Sequence, residues 1–131
     1  MKIVIDTNVV ASAIFFGGRP RELVERLVKR EFSAFASPEI ITEYQETLDV
    51  LRSKYPKKAP ALPLTNIISA MQLIEPVTEV HVCRDPDDDK FISCAIDAKC
   101  IYIVSGDKDL LSLKKYKNIR ILTVAEFLSE C

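Results

Sequence analysis

Short β-branched runs alternate with stretches of helical periodicity along the whole chain. Residues 2–6, 32–36, 100–104 and 119–122 are apolar runs typical of buried strands, and apolar residues recur every three or four positions between them. This alternation predicts an α/β fold, with a mostly parallel sheet covered by helices on both faces. The 131 residues have the length of one ordinary domain, so we expect a single cooperative core.

Capping residues and breakers set the expected helices. Ser37 with Pro38 and Asp85 with Pro86 are typical of helix starts, and Thr123 with Glu126 matches a capping box. A Pro-rich loop is expected at residues 54–63. The predicted helices cover residues 8–16, 20–28, 38–53, 64–73, 86–99, 108–116 and the chain from 124 onward. A further short strand is expected between residues 73 and 82.

Composition excludes several classes of protein. The longest apolar stretch, residues 9–16, is far shorter than the roughly 20 residues that cross a bilayer, so we expect a cytoplasmic protein without membrane insertion. The four cysteines lack the paired short spacing of zinc or redox motifs. A net charge of −1 argues against nucleic-acid binding by a global basic field. Function is therefore sought in local sites.

Two aspartates follow predicted strands. Asp6 ends the first run, and Asp107 comes shortly after the run at residues 101–104. Ligands of open parallel sheets bind beyond the carboxyl ends of the strands, which favours a site containing both. Helix capping is the alternative, equally supported for Asp107. It is less convincing for Asp6, because Asn8 is equally able to cap the first helix.

An acidic cluster opens the fifth predicted helix. Carboxylates in a first turn interact favourably with the helix dipole, by about 0.3–1 kcal/mol each, which accounts for Asp85, Asp87 and Asp88. Asp89 aligns at helical spacing with Ile92, at the edge of the apolar face, and is expected to point inward. Periodicity leaves Asp88 open as the alternative.

The third helix carries several glutamates. Glu43 lies closer to the centre of its apolar stripe than Glu39 or Glu46, so we select it, although a solvated glutamate is the common alternative. Carboxylates from four elements in one crevice would repel each other unless a cation neutralised them. Oxygen ligands without cysteine or histidine suit Mg²⁺ or Mn²⁺.

These residues resemble the PIN-domain family, and more closely its VapC-like toxin branch. The resemblance is carried by residues 4–8, 37–39, 83–91 and 105–111. It implies a three-layer α/β/α sandwich with about five parallel strands, and metal-dependent cleavage of single-stranded RNA. It also implies a cognate antitoxin protein as partner and a homodimer or higher oligomer.

The resemblance assigns residues by position. It implies an acidic, metal-binding catalytic quartet of Asp6, Glu43, Asp89 and Asp107, and it favours Asp89 over Asp88 because the family's acid lies three residues before an Ile-like position, here Ile92. Supporting roles fall on Asn8, Ser105 and Asp109. An acidic pocket needs basic residues beside it to hold RNA, and Arg84, Lys90 and Lys108 lie nearest the acids in sequence.

Two other functions remain open from the sequence. A degenerate PIN scaffold would bind RNA or protein without cleavage. A haloacid-dehalogenase-like phosphatase would also place an aspartate after the first strand, but the second acid of that family is replaced by Asn8. Apolar residues on the early helices, including Val9, Val10, Ile14, Phe15 and Phe16, exceed what a one-sided helix needs. Burial in the core is expected for most of them, and a dimer surface or an antitoxin groove is the alternative.

Overall fold

The computed structural model describes residues 1–131 and places six strands in one sheet, in the order β3-β2-β1-β4-β6-β5. All neighbouring strands are parallel except β5, which pairs antiparallel with β6. The predicted mostly parallel sheet is confirmed, with one short strand more than expected. The strands are β1 Lys2–Ile5, β2 Ser33–Ala36, β3 Gln72–Leu73, β4 Tyr102–Val104, β5 Lys115–Tyr116 and β6 Ile119–Leu122.

Seven helices connect these strands. They are α1 Thr7–Phe15, α2 Gly18–Val28, α3 Pro38–Lys54, α4 Leu64–Ala70, α5 Asp89–Asp97, α6 Lys108–Leu113 and α7 Val124–Glu130, with a short 3-10 turn at Pro86–Asp88. The predicted caps are present: the Ser37 hydroxyl accepts from the Ile40 N–H at 3.2 Å, and Thr123 with Glu126 forms the capping box.

The helices form two layers around the sheet. Parallel crossovers are right-handed as a rule, which places α1 to α4 on one face of the sheet. Helix α1 packs on α2 and α3, and α2 packs on α4 and α7. The crossover from β3 to β4 runs the opposite way across the sheet, so α5 covers the other face and contacts β1, β2 and β4. The direction of the crossovers therefore reverses between β1 and β4.

Central strands buried on both faces explain the continuous apolar runs. Ile3, Val4 and Ile5 of β1 and Ile103 and Val104 of β4 are all 0% exposed. Such strands have no solvent face, so polar residues do not alternate with apolar ones along them. These two strands anchor the core beneath the point where the crossovers reverse.

Helix α1 is also apolar around most of its circumference. Val9, Val10, Ile14 and Phe15 are buried in the core, and α1 packs against both α2 and α3. Phe16, which follows the helix, is 51% exposed. The expected core burial is therefore confirmed for these four residues, and only Phe16 stays available to a dimer surface or an antitoxin groove.

Two local predictions were wrong. The strand expected between residues 73 and 82 is Gln72–Leu73, and residues 74–83, here called the strap, contain no helix or strand. The helix expected over 108–116 ends at Leu113, where Lys114 turns the chain with a positive φ of 61° and the following residues form β5. No helix is both long and apolar enough to cross a membrane.

Candidate active site

Asp6 lies at the carboxyl end of β1, where the crossover direction reverses. Its backbone N–H donates to the Val104 carbonyl at 2.9 Å, which joins the ends of β1 and β4, and the residue is 4% exposed. Asp6 occupies the N-cap position of α1, yet its side chain makes no capping bond. Its Oδ2 instead accepts from the Ser105 hydroxyl at 2.7 Å. The carboxylate is thus directed toward the region where β1 and β4 end. We call this region, with Asp6, Glu43, Asp88, Ser105 and Asp107, the crevice.

Ser105 links two of the predicted acids. It is 0% exposed, and its hydroxyl both donates to Asp6 and accepts from the Asp107 N–H at 2.9 Å. Asp107 caps α6 through its Oδ1, which accepts from the Asp109 N–H at 3.0 Å. The two interpretations of Asp107, cap and crevice residue, are compatible because one oxygen makes the cap.

Asp88 is the third carboxylate of this group. It is 8% exposed, and its Oδ2 has no hydrogen-bond partner. Burial, followed by the negative charges of Asp107 and Asp6, raises the pKa of Asp88 to about 7. Burial is also the main cause of the raised pKa of Asp6, to which the charges of Asp107 and Glu43 add. The acids therefore share one electrostatic environment.

Asp89, which the sequence favoured, points elsewhere. Its Oδ1 accepts from the N–H groups of Cys83 at 2.9 Å and Val82 at 3.2 Å, both in the strap. Desolvation by burial acts to raise its pKa, but these N–H donors outweigh it and the pKa is lowered. Asp88, and not Asp89, therefore lies among the other acids, contrary to the expected inward orientation of Asp89, and which of the two serves in catalysis stays a prediction.

The 3-10 turn that precedes α5 explains why the side chain of Asp89 does not point inward as expected. Asp88 ends that turn and Asp89 is the first residue of the helix, so the carboxylate of Asp89 extends back toward the strap. The sequence did carry a usable signal. Asp88 stands three, four and seven residues before Phe91, Ile92 and Ala95, all of them buried, which is the spacing of one helical face.

Glu43 reaches the crevice from α3. One carboxylate oxygen accepts from the Thr7 hydroxyl, and the other pairs with the Lys90 ammonium at 2.5 Å. The neighbouring Tyr44 hydroxyl donates to the Ile5 carbonyl at 2.6 Å, which fixes α3 against the end of β1. Sequence reasoning missed both Thr7 and Tyr44. The only signal in the sequence was their adjacency to Asp6 and Glu43, because their contacts join residues far apart along the chain.

The predicted basic residues differ in their surroundings. The Lys90 side chain is 9% exposed and also donates to the Asp87 carbonyl at 2.6 Å. Arg84 is 77% exposed and pairs with Asp109 at 3.4 Å. Lys108 and Asn8 are exposed. Only Lys90 contacts a crevice acid directly.

The crevice chemistry fits a hard divalent cation. Its donors are carboxylate oxygens, and the unpartnered buried oxygen of Asp88 lacks the proton donor that a purely structural carboxylate has. However, no three acidic, histidine or cysteine side chains are arranged to hold one ion as they stand. Glu43 is paired with Lys90 and Asp107 caps α6. Ligation would therefore require these side chains to reorient.

Comparison with known proteins agrees with this geometry. The PIN domain family model matches residues 2–109. The uncharacterized protein MJ1680 of Methanocaldococcus jannaschii is 34% identical over 142 residues, covering 99% of this chain and 91% of the relative. A chain of VapBC2 from Rickettsia felis, solved bound to a promoter DNA fragment, superposes with a TM-score of 0.62 at 16% identity, covering 94% of this chain and 98% of that one. The family match over most of the chain, with its acids gathered where β1 and β4 end, shows that this chain belongs to the PIN-domain family.

Proposed function

We propose that the protein is a metal-dependent endoribonuclease that cleaves single-stranded RNA. Asp6, Glu43, Asp88 and Asp107 would hold Mg²⁺ or Mn²⁺ in the crevice. The observation that carries the proposal is the buried Asp88 oxygen, which has no donor while the charges of Asp6 and Asp107 act on it. A divalent ion would neutralise all three acids at once.

Each crevice residue would have a distinct task. Ser105 orients Asp6 by its hydrogen bond, and Thr7 does the same for Glu43. A bound ion would supply positive charge at the phosphate in the transition state and a water nucleophile at neutral pH. Lys90, released from Glu43 as the carboxylate turns toward the ion, would contact a phosphate of the RNA backbone.

The rim of the crevice would complete RNA binding. Arg84 and Lys108 are exposed there and would contact neighbouring phosphates. Asp109 would set the position of Arg84 through their ion pair. Asn8, exposed in the first turn of α1, would offer an amide to sugar or base. Asp89 would hold the strap instead of a metal ion.

Cleavage of a labelled single-stranded RNA tests the proposal. The purified protein should cut the RNA with Mg²⁺ or Mn²⁺ and stop when EDTA is added. Asp6→Asn should lose the activity by at least about a hundredfold, because it removes a charged oxygen ligand of the ion. Equal cleavage by wild type and Asp6→Asn, purified in parallel, would identify a contaminating nuclease.

A PIN scaffold that binds without cutting is the second candidate. It is favoured by the Lys90–Glu43 ion pair, which already neutralises one acid, and by the absence of three acids in ligating arrangement. Calorimetric titration with Mn²⁺ separates the two. Heat of binding that disappears in Asp88→Asn supports the nuclease, and no binding at millimolar Mn²⁺ supports the scaffold. The phosphatase hypothesis is set aside, because the chain belongs to the PIN-domain family and Asn8 is exposed.

We further propose a role as the toxin of a toxin–antitoxin pair, acting on RNA in the cytoplasm. The structural likeness to a chain of VapBC2 supports this. The partner would be an antitoxin protein encoded beside this chain, and co-purification of the neighbouring gene product tests it. A homodimer is proposed on the family resemblance alone, and light scattering that gives a monomeric mass would contradict it.

A further inference from the structure

Two aromatic rings lie exposed side by side at the ends of α1 and α3. Phe16 is 51% exposed and Tyr55 is 37% exposed. Their ring centroids are 5.6 Å apart in an edge-to-face arrangement. Aromatic side chains supply much of a domain's buried apolar area, so an adjoining pair left at the surface suggests a binding role.

Cationic side chains surround these rings. Lys58 Nζ lies 4.7 Å from the centroid of Phe16, and Lys54 Nζ lies 5.7 Å from that of Tyr55. Arg52 and Lys57 line the adjoining hollow of about 410 Å³, whose wall contains no acidic side chain. We call these six residues the basic-aromatic ledge.

Hydrogen bonds fix the ledge to the rest of the fold. The Ala61 N–H donates to the Ile14 carbonyl at 3.1 Å, which ties the loop after α3 to the end of α1. Arg21 Nε donates to the Ala13 carbonyl at 3.0 Å, capping the same helix end. The Lys58 N–H donates to the Tyr55 carbonyl at 3.1 Å and closes a turn. These bonds fix the backbone from which the two rings project.

The geometry points to single-stranded RNA as the occupant of the ledge. Exposed rings stack unpaired bases, and interleaved cations neutralise the phosphates between them. Three cations, Arg52, Lys57 and Lys58, line the hollow, and no acid does. Arg52 is paired with Asp49 at 3.4 Å, whereas Lys57 and Lys58 have no carboxylate partner. An apolar protein partner would not account for this excess of positive charge beside the rings. This inference rests on the proposed function, since it extends the binding path of the same RNA.

The ledge lies within reach of the crevice. Helix α1 begins beside Asp6 and ends at Phe16, and ten residues of helix span about 15 Å. A strand that passes through the crevice needs only a few additional nucleotides to reach the ledge. The ledge would therefore act on longer RNA and leave the shortest substrates unaffected.

Binding measured on two RNA lengths tests the inference. The probes are fluorescein-labelled single strands of about 4 and about 15 nucleotides, and Asp6→Asn is the background in which cleavage is stopped. Phe16→Ala with Tyr55→Ala should weaken the Kd of the longer strand about tenfold or more, since each stacked base contributes at least a fewfold. The Kd of the shorter strand should stay unchanged. Equal Kd values for the variant and its parent on the longer strand would overturn the inference.

Tyr116→Ala is the matched control. Lys117 Nζ lies 5.6 Å from the Tyr116 ring, so this pair repeats the cation–ring contact of the ledge, although Tyr116 is partly buried against the core. Strand β5 is an edge strand, three places along the sheet from β1. The control should bind both RNA lengths as the parent does. A loss equal to that of the ledge variant would show nonspecific attraction and overturn the inference.

The outcomes separate the ledge from the catalytic proposal. Wild type that never cleaves RNA, together with a ledge variant that binds the longer strand more weakly, would remove the nuclease proposal and keep the ledge. Cleavage that requires Asp6, together with unchanged RNA binding by the ledge variant, would keep the nuclease proposal and remove the ledge. If the ledge variant bound both RNA lengths more weakly, the assignment of the ledge would also be overturned. The same holds if the variant lost only the binding of a protein partner.

Discussion

The crevice and the strap both depend on carboxylates, but they use them in opposite ways. In the crevice, Asp88 is buried beside other acids and one of its oxygens has no donor. At the strap, Asp97 accepts from the Val77 N–H at 2.6 Å, from the Thr78 N–H at 3.0 Å and from the Thr78 hydroxyl at 2.6 Å. Asp89 likewise accepts from two strap N–H groups.

The difference shows that the supply of donors decides what a carboxylate does. Asp88 and Asp89 are joined by one peptide bond, yet burial among acids raises the pKa of Asp88 to about 7 while strap N–H groups outweigh burial and lower that of Asp89. Carboxylates with N–H donors hold the backbone in place. Carboxylates without them remain free to bind a cation.

Removing the hydroxyl that orients Asp6 should have a large effect on cleavage, second only to removing an acid of the crevice itself. Ser105→Ala takes the hydroxyl from Asp6 and the acceptor from the Asp107 N–H. We expect RNA cleavage to fall about 10- to 100-fold, the usual loss when a residue orienting a metal ligand is removed. Single-turnover cleavage rates measure it. Ser112→Ala, which removes an exposed hydroxyl on α6, is the control, and equal rates for both variants would contradict the role of Ser105.

Stability should change in opposite directions at the two neighbouring aspartates. Asp88→Asn removes a buried charge without donors and should stabilise the metal-free protein by about 1–2 kcal/mol. Asp89→Asn weakens two charge-assisted bonds to the strap and should destabilise it by a similar amount, about 1–2 kcal/mol. Urea unfolding in EDTA measures both free energies. If both substitutions changed the free energy of unfolding with the same sign, the contrast between crevice and strap carboxylates would be contradicted.

The smallest effect should be a local dependence of the strap on pH. Hydrogen bonds from the Thr78 hydroxyl and then its N–H lower the pKa of Asp97 below the ordinary 3.8. The folded pKa is the lower one, so the stabilisation is present above about pH 4 and is lost as pH falls through the folded value.

Hydrogen exchange at the strap measures this dependence. In wild type, protection factors of the Val77 and Thr78 amides should fall once the pH drops below about 4. In Asp97→Asn they should already be about tenfold lower at neutral pH and should change little with acid. Asp49→Asn, on the exposed side of α3, is the control. If the protection factors of the wild-type amides rose on acidification, the predicted loss of stabilisation by Asp97 at low pH would be contradicted.

Most of the fold follows from local sequence patterns. The strands β1, β2, β4 and β6 were identifiable because most of their residues are apolar and buried in the sheet, with Arg120 of β6 as an exposed exception. The edge strands β3 and β5 have two residues each, too few to show any periodicity. Their positions depend on pairing with β2 and β6, which is a tertiary effect.

The candidate site was only partly predictable, for the same physical reason. Asp6 and Asp107 were found because they follow strands whose ends meet in a parallel sheet. The helical phase of the acidic cluster was misjudged, because a 3-10 turn precedes α5. The Lys90–Glu43 pair and the Tyr44 contact join residues far apart in sequence, so no local pattern reveals them.

The most direct measurement is Mn²⁺-dependent RNA cleavage by Asp88→Asn and Asp89→Asn side by side. The two substitutions are chemically identical and lie on adjacent residues, so they differ only in where the carboxylate points. Asp88→Asn should lose at least about a hundredfold in cleavage rate, the scale expected when a metal ligand is removed, and Asp89→Asn should retain the rate to within severalfold. Loss of cleavage in Asp89→Asn with full activity in Asp88→Asn would contradict the assignment of Asp88 to the crevice.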